Sequence, residues 1–209
     1  ESEIEEGYVK IIVTRGSDDH NFTIPARSAL QPNVLVYGKP IDLNAIEKVQ
    51  SGVNCITLDD DRGHHCDILS LNQLNNMMAR AEAQKKNCYD AVFIKDGLLT
   101  EASHSNVCIV KAGVIWTPAT NEHMIRGVTR SLVLTRAAPS AGVTSIDEAS
   151  EPVRFEDMMT AEEVFLTNSQ DGIIPVLSID GNPIGGGKVG DVTKKIQEHY
   201  AHLMEDGLP

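Results

Sequence analysis

The sequence predicts an α+β fold in two unequal parts, residues 1–38 and 39–209, and three observations predict it. Short runs rich in β-branched residues recur along the chain between Gly, Pro, Asn and Asp clusters, as strands do. Longer stretches, above all 73–86, place apolar residues at helical spacing. Gly38, Lys39 and Pro40 fall together after an early strand, the composition of a hinge. A chain of 209 residues can hold one good-sized domain, or one domain and part of another. With 41% hydrophobic and 23% charged residues it is globular rather than disordered. A net charge of −12 argues against nucleic acid and anionic membrane as partners and favours small-molecule chemistry.

In chain order, 8–14 (YVKIIVT) is a strand, 15–21 a polar loop, 22–24 a short return before Pro25, and 34–37 a third strand. Beyond the hinge, 53–58 is a strand and 59–65 (DDDRGHH) a polar connection. Its acids and paired histidines lack the spacing of a metal site, and a solvated loop is expected there. The helix 73–86 is expected to turn Leu71, Leu74, Met77, Met78 and Ala81 toward the core. Residues 90–95 form a strand closed by Asp96-Gly97. Further on come a helix 129–138, a strand 143–146, a helix 154–159, strands 164–167 and 173–176, and a hairpin at 178–182. A glycine-rich connection, 185–190, leads into a last helix 192–204. Cys55, Cys66, Cys88 and Cys108 are far apart with no C-x-x-C pair, the pattern of reduced thiols in a cytosolic protein. No run of about 18 apolar residues and no signal peptide is present, so the chain is expected to be soluble and cytoplasmic.

The stretch 96–130 carries the chemistry. Two apolar runs, 107–110 and 114–116, flank Lys111-Ala112-Gly113 at hairpin spacing. Ahead of them lies a polar patch with a single carboxylate, Glu101; behind them Thr117-Pro118 leads to Arg126-Gly127-Val128-Thr129-Arg130, the start of a helix. Such a start offers unpaired N–H groups and the positive end of a dipole, a seat for phosphate. A carboxylate and a phosphate seat at the two ends of one hairpin suit a ligand with a basic ring nitrogen and a phosphate tail. Taken alone, Glu101 is a solvated strand-end glutamate and Thr129 an ordinary helix cap.

Together these residues resemble the fold-type IV enzymes that use pyridoxal 5′-phosphate (PLP): D-amino acid and branched-chain aminotransferases and aminodeoxychorismate lyase. The likeness rests on Glu101-Ala102-Ser103-His104-Ser105-Asn106, then Thr117-Pro118, then Ile125-Arg126-Gly127-Val128-Thr129-Arg130, and continues through 161–176 and 184–196. It implies that Glu101 keeps the pyridine nitrogen protonated and that Asn106 braces the loop, with help from Ser103 and Ser105. Ile125 would pack on the ring, while Val128, Thr129 and Ser169 hold the phosphate. Gln170 would offer a backbone contact to the substrate carboxylate. The implied reaction moves an amino group between an amino acid and a 2-oxo acid in a homodimer, with PLP between a small and a large domain. A lyase of the same fold and an inactive PLP-fold binding protein are the alternatives.

Two departures accompany the likeness. The segment Cys66-Asp67-Ile68-Leu69-Ser70-Leu71-Asn72 resembles one whose fourth residue, in the family, is the Schiff-base lysine; here it is Leu69. Leucine can neither bond the cofactor nor carry a proton. Leu69 stands for a modified lysine, or marks a real loss, or the register has slipped and another lysine serves. The well-kept surroundings favour the first. The D-specific carboxylate trap of the family's first loop is also not reproduced, since His20 and Phe22 occupy its arginine and histidine positions. In the family most of the small domain precedes residue 8, including an arginine that clamps the phosphate, so 1–38 is expected to be its remnant.

Overall fold

Strands β1 (Gly7–Val13) and β2 (Val34–Pro40) pair antiparallel from Gly7↔Pro40 to Val13↔Val34. They belong to a small unit, Glu1–Asn44, distinct from a larger one, Ala45–Pro209. Residues 4, 7–17, 31–146 and 152–206 are described in this computed structural model. The return strand expected at 22–24, with His20 and Phe22, lies outside them. The residues expected to form a hinge, Gly38, Lys39 and Pro40, are instead the end of β2: Gly38 faces Val9 and Lys39 faces Tyr8. Ladder hydrogen bonds hold this backbone, and proline is tolerated at the strand terminus. Alternation along the two strands gathers Val9, Ile11, Val13, Val34 and Val36 on one exposed face.

Helix α1 (Leu43–Gln50) begins at the end of the small unit and lies mostly in the large one, where strand β3 (Val53–Asp59), helix α2 (Leu74–Lys85) and strand β4 (Asp90–Lys95) follow. Next come β5 (Leu98–Ala102), β6 (Asn106–Lys111) and β7 (Val114–Trp116). Helix α3 (Val128–Leu132) runs through a π-helical turn (Val133–Ala137) into α4 (Ala138–Ser140), and β8 (Ser145–Ile146) follows. The remainder is α5 (Phe155–Met159), β9 (Glu163–Asn168), β10 (Gly172–Ile179), β11 (Asn182–Pro183) and α6 (Asp191–Glu205). The helix expected at 129–138 therefore continues past Pro139. Proline lacks the N–H and crowds the preceding turn, and the wider π turn just before it accommodates both.

One nine-stranded sheet organises this unit in the order β5-β4-β3-β10-β9-β6-β7-β8, with β11 on β10. Strand β3 runs parallel to β4 and β10, and α2 supplies the β3–β4 crossover. The turn Ala112-Gly113 has positive φ at both residues, the two-residue geometry that matches strand twist; the same turn recurs at Asp96-Gly97 and Asp180-Gly181. Ala102 N–H donates to Ser105 O, so the first strand of the order meets β6 and the sheet curls.

Both faces of the central strands are covered. Val107 and Ile109 of β6 join Val164 and Leu166 of β9 in one cluster, while Cys108, Val110 and Phe165 face Val133, Leu134 and Ile196 in another. The expected core face of α2 is corrected by the structure. Leu71, Leu74, Met77, Met78 and Ala81 are all exposed, and Ala79 and Ala83 pack on Ile56, Ala91 and Phe93 instead. Small side chains let the helix lie close against the sheet, and the larger aliphatic stripe is turned outward. At the far end, Glu163 accepts hydrogen bonds from Val192 N (3.0 Å), Thr193 N (2.8 Å) and Thr193 Oγ1 (2.6 Å), capping α6 with a carboxylate.

Candidate cofactor site

Glu101 sits near the end of β5 with only 4% of its surface exposed. A carboxylate so buried requires a counter-charge or donors. Arg62 Nη1 donates to Glu101 Oε1 at 2.5 Å, and Ile125 N donates to Oε2 at 3.0 Å. Asn106 Nδ2 reaches the same Oε2 at 3.3 Å and Ile125 O at 2.8 Å. Arg62 also grips Asp60, through Nε to Oδ1 (2.9 Å) and Nη2 to Oδ2 (2.8 Å), and donates to His123 O at 2.8 Å. Thr100 Oγ1 donates to Asp60 Oδ2 at 2.8 Å. The guanidinium lies 4.3 Å above the Phe93 ring, a cation–π stack.

This corrects the expectation of a solvated loop at 59–65, because Asp60 and Arg62 are buried. Sequence reasoning missed both: a polar run carries no burial signal, and the partner of Arg62 lies 39 positions away. Among the described residues no three His, Cys, Asp or Glu side chains gather where a metal ion would fit.

Asn106 also joins the carboxylate to the helix start. Its Oδ1 occupies the space a Cβ on Gly127 would need, so only glycine allows this approach. Gly127 is the N-cap of α3, two residues beyond Ile125. Val128 is exposed and Thr129 buried at that end. The buried Arg130 fastens the helix to the preceding loop, donating to Thr117 Oγ1 and Pro118 O, both at 3.1 Å.

A cavity of about 300 Å³ opens beside the carboxylate, lined by Glu101, Arg62 and Ile125 together with His64, Cys66 and Ile68 among others. Leu69 lies between the lining residues Ile68 and Ser70, and its side chain is not core: it is 79% exposed. Ser169 and Gln170 are exposed on the β9–β10 turn. The Gln170 N–H donates to Asn168 Oδ1 at 2.9 Å, so the backbone group expected to meet substrate already has a partner.

Burial pushes the Glu101 carboxyl up, against the pull of Arg62 and the Ile125 N–H. Burial also raises Asp60, but its hydrogen bonds and charge contact with Arg62 outweigh that and hold it below the usual carboxylate range. Arg62, though itself desolvated, is held more firmly cationic by the two acids. Of the two carboxylates around one guanidinium, Glu101 is therefore the first to accept a proton.

A carboxylate offers about four lone-pair sites. Arg62, Asn106 and Ile125 use three at Glu101, which leaves one for a donor in the cavity. A protonated ring nitrogen has that chemistry, and the helix start at Gly127 suits an anionic group. Residue 69 does not suit covalent attachment, since leucine has no amine.

The chain belongs to the amino-transferase class IV family, whose model matches residues 1–179; this is the PLP-using family to which the motifs pointed. It is 38% identical over 192 residues to a D-alanine aminotransferase of Bacillus licheniformis, covering 92% of this chain and 65% of that one. A Staphylococcus aureus D-alanine aminotransferase is 32% identical over 204 residues, 98% of this chain and 70% of the relative. Among solved structures, the branched-chain aminotransferase of Escherichia coli superposes with a TM-score of 0.80 at 24% identity, over 94% of this chain and 65% of that one. A Thermobaculum terrenum branched-chain aminotransferase in its PLP form gives 0.76 at 21%, over 95% and 64%. The α+β, fold-type IV expectation is borne out. The chain spans about two thirds of the length of these proteins.

Proposed function

We propose that this protein binds PLP and moves an amino group between an amino acid and a 2-oxo acid. One observation carries this reading: Glu101 and Ile125 line one cavity, and Asn106, hydrogen-bonded to both, links them to the helix start at Gly127. The two relatives named above are both aminotransferases, which favours amino transfer over the lyase alternative.

The cofactor, when bound, supplies an electron-accepting ring that stabilises negative charge developing on the substrate carbon. Glu101 presents its free lone pair to the ring nitrogen, and Arg62 holds that carboxylate in place and draws it toward the anion. Ile125, which lines the cavity, would pack on the ring face. The Val128 and Thr129 N–H groups, with the Thr129 and Ser169 hydroxyls, hold the phosphate. Position 69 is where the proton-carrying amine belongs, and Leu69 lacks it, so turnover requires lysine there. The leucine favours a second reading for the chain as it stands, in which PLP binds without turnover. A homodimer is supported by the exposed apolar stripe of Leu71, Leu74, Met77 and Met78, larger than a lone surface leucine. A cytoplasmic location is supported by the reduced thiols of Cys55, Cys66, Cys88 and Cys108. No helix among the described residues is long and apolar enough to cross a membrane.

Borohydride reduction with PLP, followed by peptide mass analysis, tests the reading. Leu69→Lys should place an adduct on the peptide covering 66–72 and bring turnover with an amino donor and a 2-oxo acid. Neither adduct nor PLP-dependent absorbance in that variant would refute the cofactor site.

A further inference from the structure

A second buried network, separate from the Arg62 cluster, ties together the two loops assigned to the ring and to the phosphate. Asp90, at the start of β4, has no exposed surface. Its carboxylate accepts hydrogen bonds from Ser103 Oγ, from Ser105 Oγ at 3.3 Å and from Ala91 N at 2.8 Å. Ser103 and Ser105 lie in the short link between Glu101 and Asn106. Ser105 Oγ in turn accepts from Asn168 Nδ2 at 3.1 Å, and the same amide nitrogen reaches Tyr89 Oη at 3.1 Å. Tyr89 Oη donates to Asp171 Oδ2 at 2.5 Å. The other end of the Asn168 amide shapes the turn itself, since Oδ1 accepts from Gln170 N (2.9 Å) and Asp171 N (2.7 Å). One side chain therefore reads the 103–105 link with its nitrogen and folds the 169–171 turn with its oxygen.

We infer that Ser105 and Asn168 are positioning residues that fix Ser169 relative to Glu101, so that the phosphate end and the ring end of the ligand are gripped in register. This rests on the PLP reading above. Neither residue needs to touch the ligand. Buried hydrogen-bond networks that are fully satisfied hold one arrangement, because each alternative leaves an unpaired polar group. Asp90 supplies the anchor: a buried carboxylate orients both hydroxyls, and Ser105, its O–H committed to Asp90, directs a lone pair at Asn168. The physical consequence is specific. Breaking the link should loosen recognition of the phosphate while leaving the ring wall, held by Arg62 and Ile125, intact.

The test compares PLP with pyridoxal, the same ring without the phosphate, by equilibrium dialysis against the full chain. The wild-type chain should bind PLP more tightly than pyridoxal. In Ser105→Ala that preference should fall about tenfold, the worth of one lost buried hydrogen bond, with pyridoxal affinity changed less than about twofold. Asn168→Ala should give a loss of the same kind, and the double variant should be no worse than the worse single one, since both cut one connection. Ser105→Thr, which keeps the hydroxyl, should restore the preference. Should Ser105→Ala not fold, Tyr89→Phe interrupts the same chain at its outer end and should lower the preference in the same direction. Equal weakening of both ligands, or an unchanged preference, overturns the inference while the cofactor reading stands. A wild-type chain that binds neither ligand overturns both.

Discussion

Two stretches near the cavity are built in opposite ways, the surroundings of Glu101 and the segment around Leu69. In the first, Glu101 is surrounded by Arg62, Asn106 and Ile125, drawn from three separate parts of the chain, and almost nothing of it meets solvent. In the second, Leu69 is 79% exposed, with the exposed Ile68, Leu71, Leu74, Met77 and Met78 as its sequence neighbours. The difference teaches where substitution is cheap. A change in the Glu101 wall strands a buried charge, whereas the folded unit places no packing demand on residue 69. A leucine there is compatible with an otherwise preserved site because its side chain holds nothing together.

Four experiments break or sharpen this contrast. The largest effect is chemical: Leu69→Lys should take the borohydride-fixed adduct on 66–72 from none to near stoichiometric, while unfolding free energy moves by no more than about 0.5 kcal/mol, as for other exposed positions. Chemical denaturation of the same variant checks the second half. Next, Arg62→Ala leaves Asp60 and Glu101 buried without their cation and should cost about 3–5 kcal/mol, read as a lower denaturation midpoint. A cost below that of an ordinary surface change would mean the wall is not held by charge.

The third effect is one of pH. Asp60 is held below its ordinary value of 3.8, so its contribution is present above that value and is lost as pH falls through the lower folded value. Glu101 has the opposite sign: its folded carboxyl binds a proton more readily than the unfolded one, so its contribution is present below its ordinary value of 4.5 and is lost as pH rises through the folded value. Urea unfolding across the acid range should show Asp60→Asn removing the acid-limb loss and Glu101→Gln removing the weakening on the other side. Reversal of either sign would contradict the arrangement around Arg62. The smallest effect on stability is expected for Met77→Lys, within about 0.5 kcal/mol of the parent. Sedimentation should show it shifting self-association toward monomer if the α2 stripe is the subunit contact.

Much of this was legible in the residues themselves. Turn dipeptides such as Ala112-Gly113 declare a hairpin because two consecutive positive φ values admit few side chains. Glu101 stood out as the single carboxylate ahead of that hairpin, Asn106 and Ile125 only through the family resemblance, and the structure does hydrogen-bond the three together. Helical periodicity located α2 correctly but assigned its faces wrongly. Period alone says which residues share a side; which side is buried depends on what lies opposite, and here the sheet accepts alanines. Ser169 and Gln170 were placed on a turn, as observed, yet the engagement of the Gln170 N–H by Asn168 could not be read from the letters.

The sequence by itself determined the local structure: strands from β-branched alternation and turns from glycine, with leucine written at position 69 where the family carries its lysine. These depend on a few neighbouring residues and so survive without the fold. Only the tertiary structure decided that Arg62 is buried between Asp60 and Glu101 and that Asn168 reaches Ser105. Charge and hydrogen-bond partners are chosen by distance in space, and residues 39 and 63 positions apart meet only once the sheet has curled.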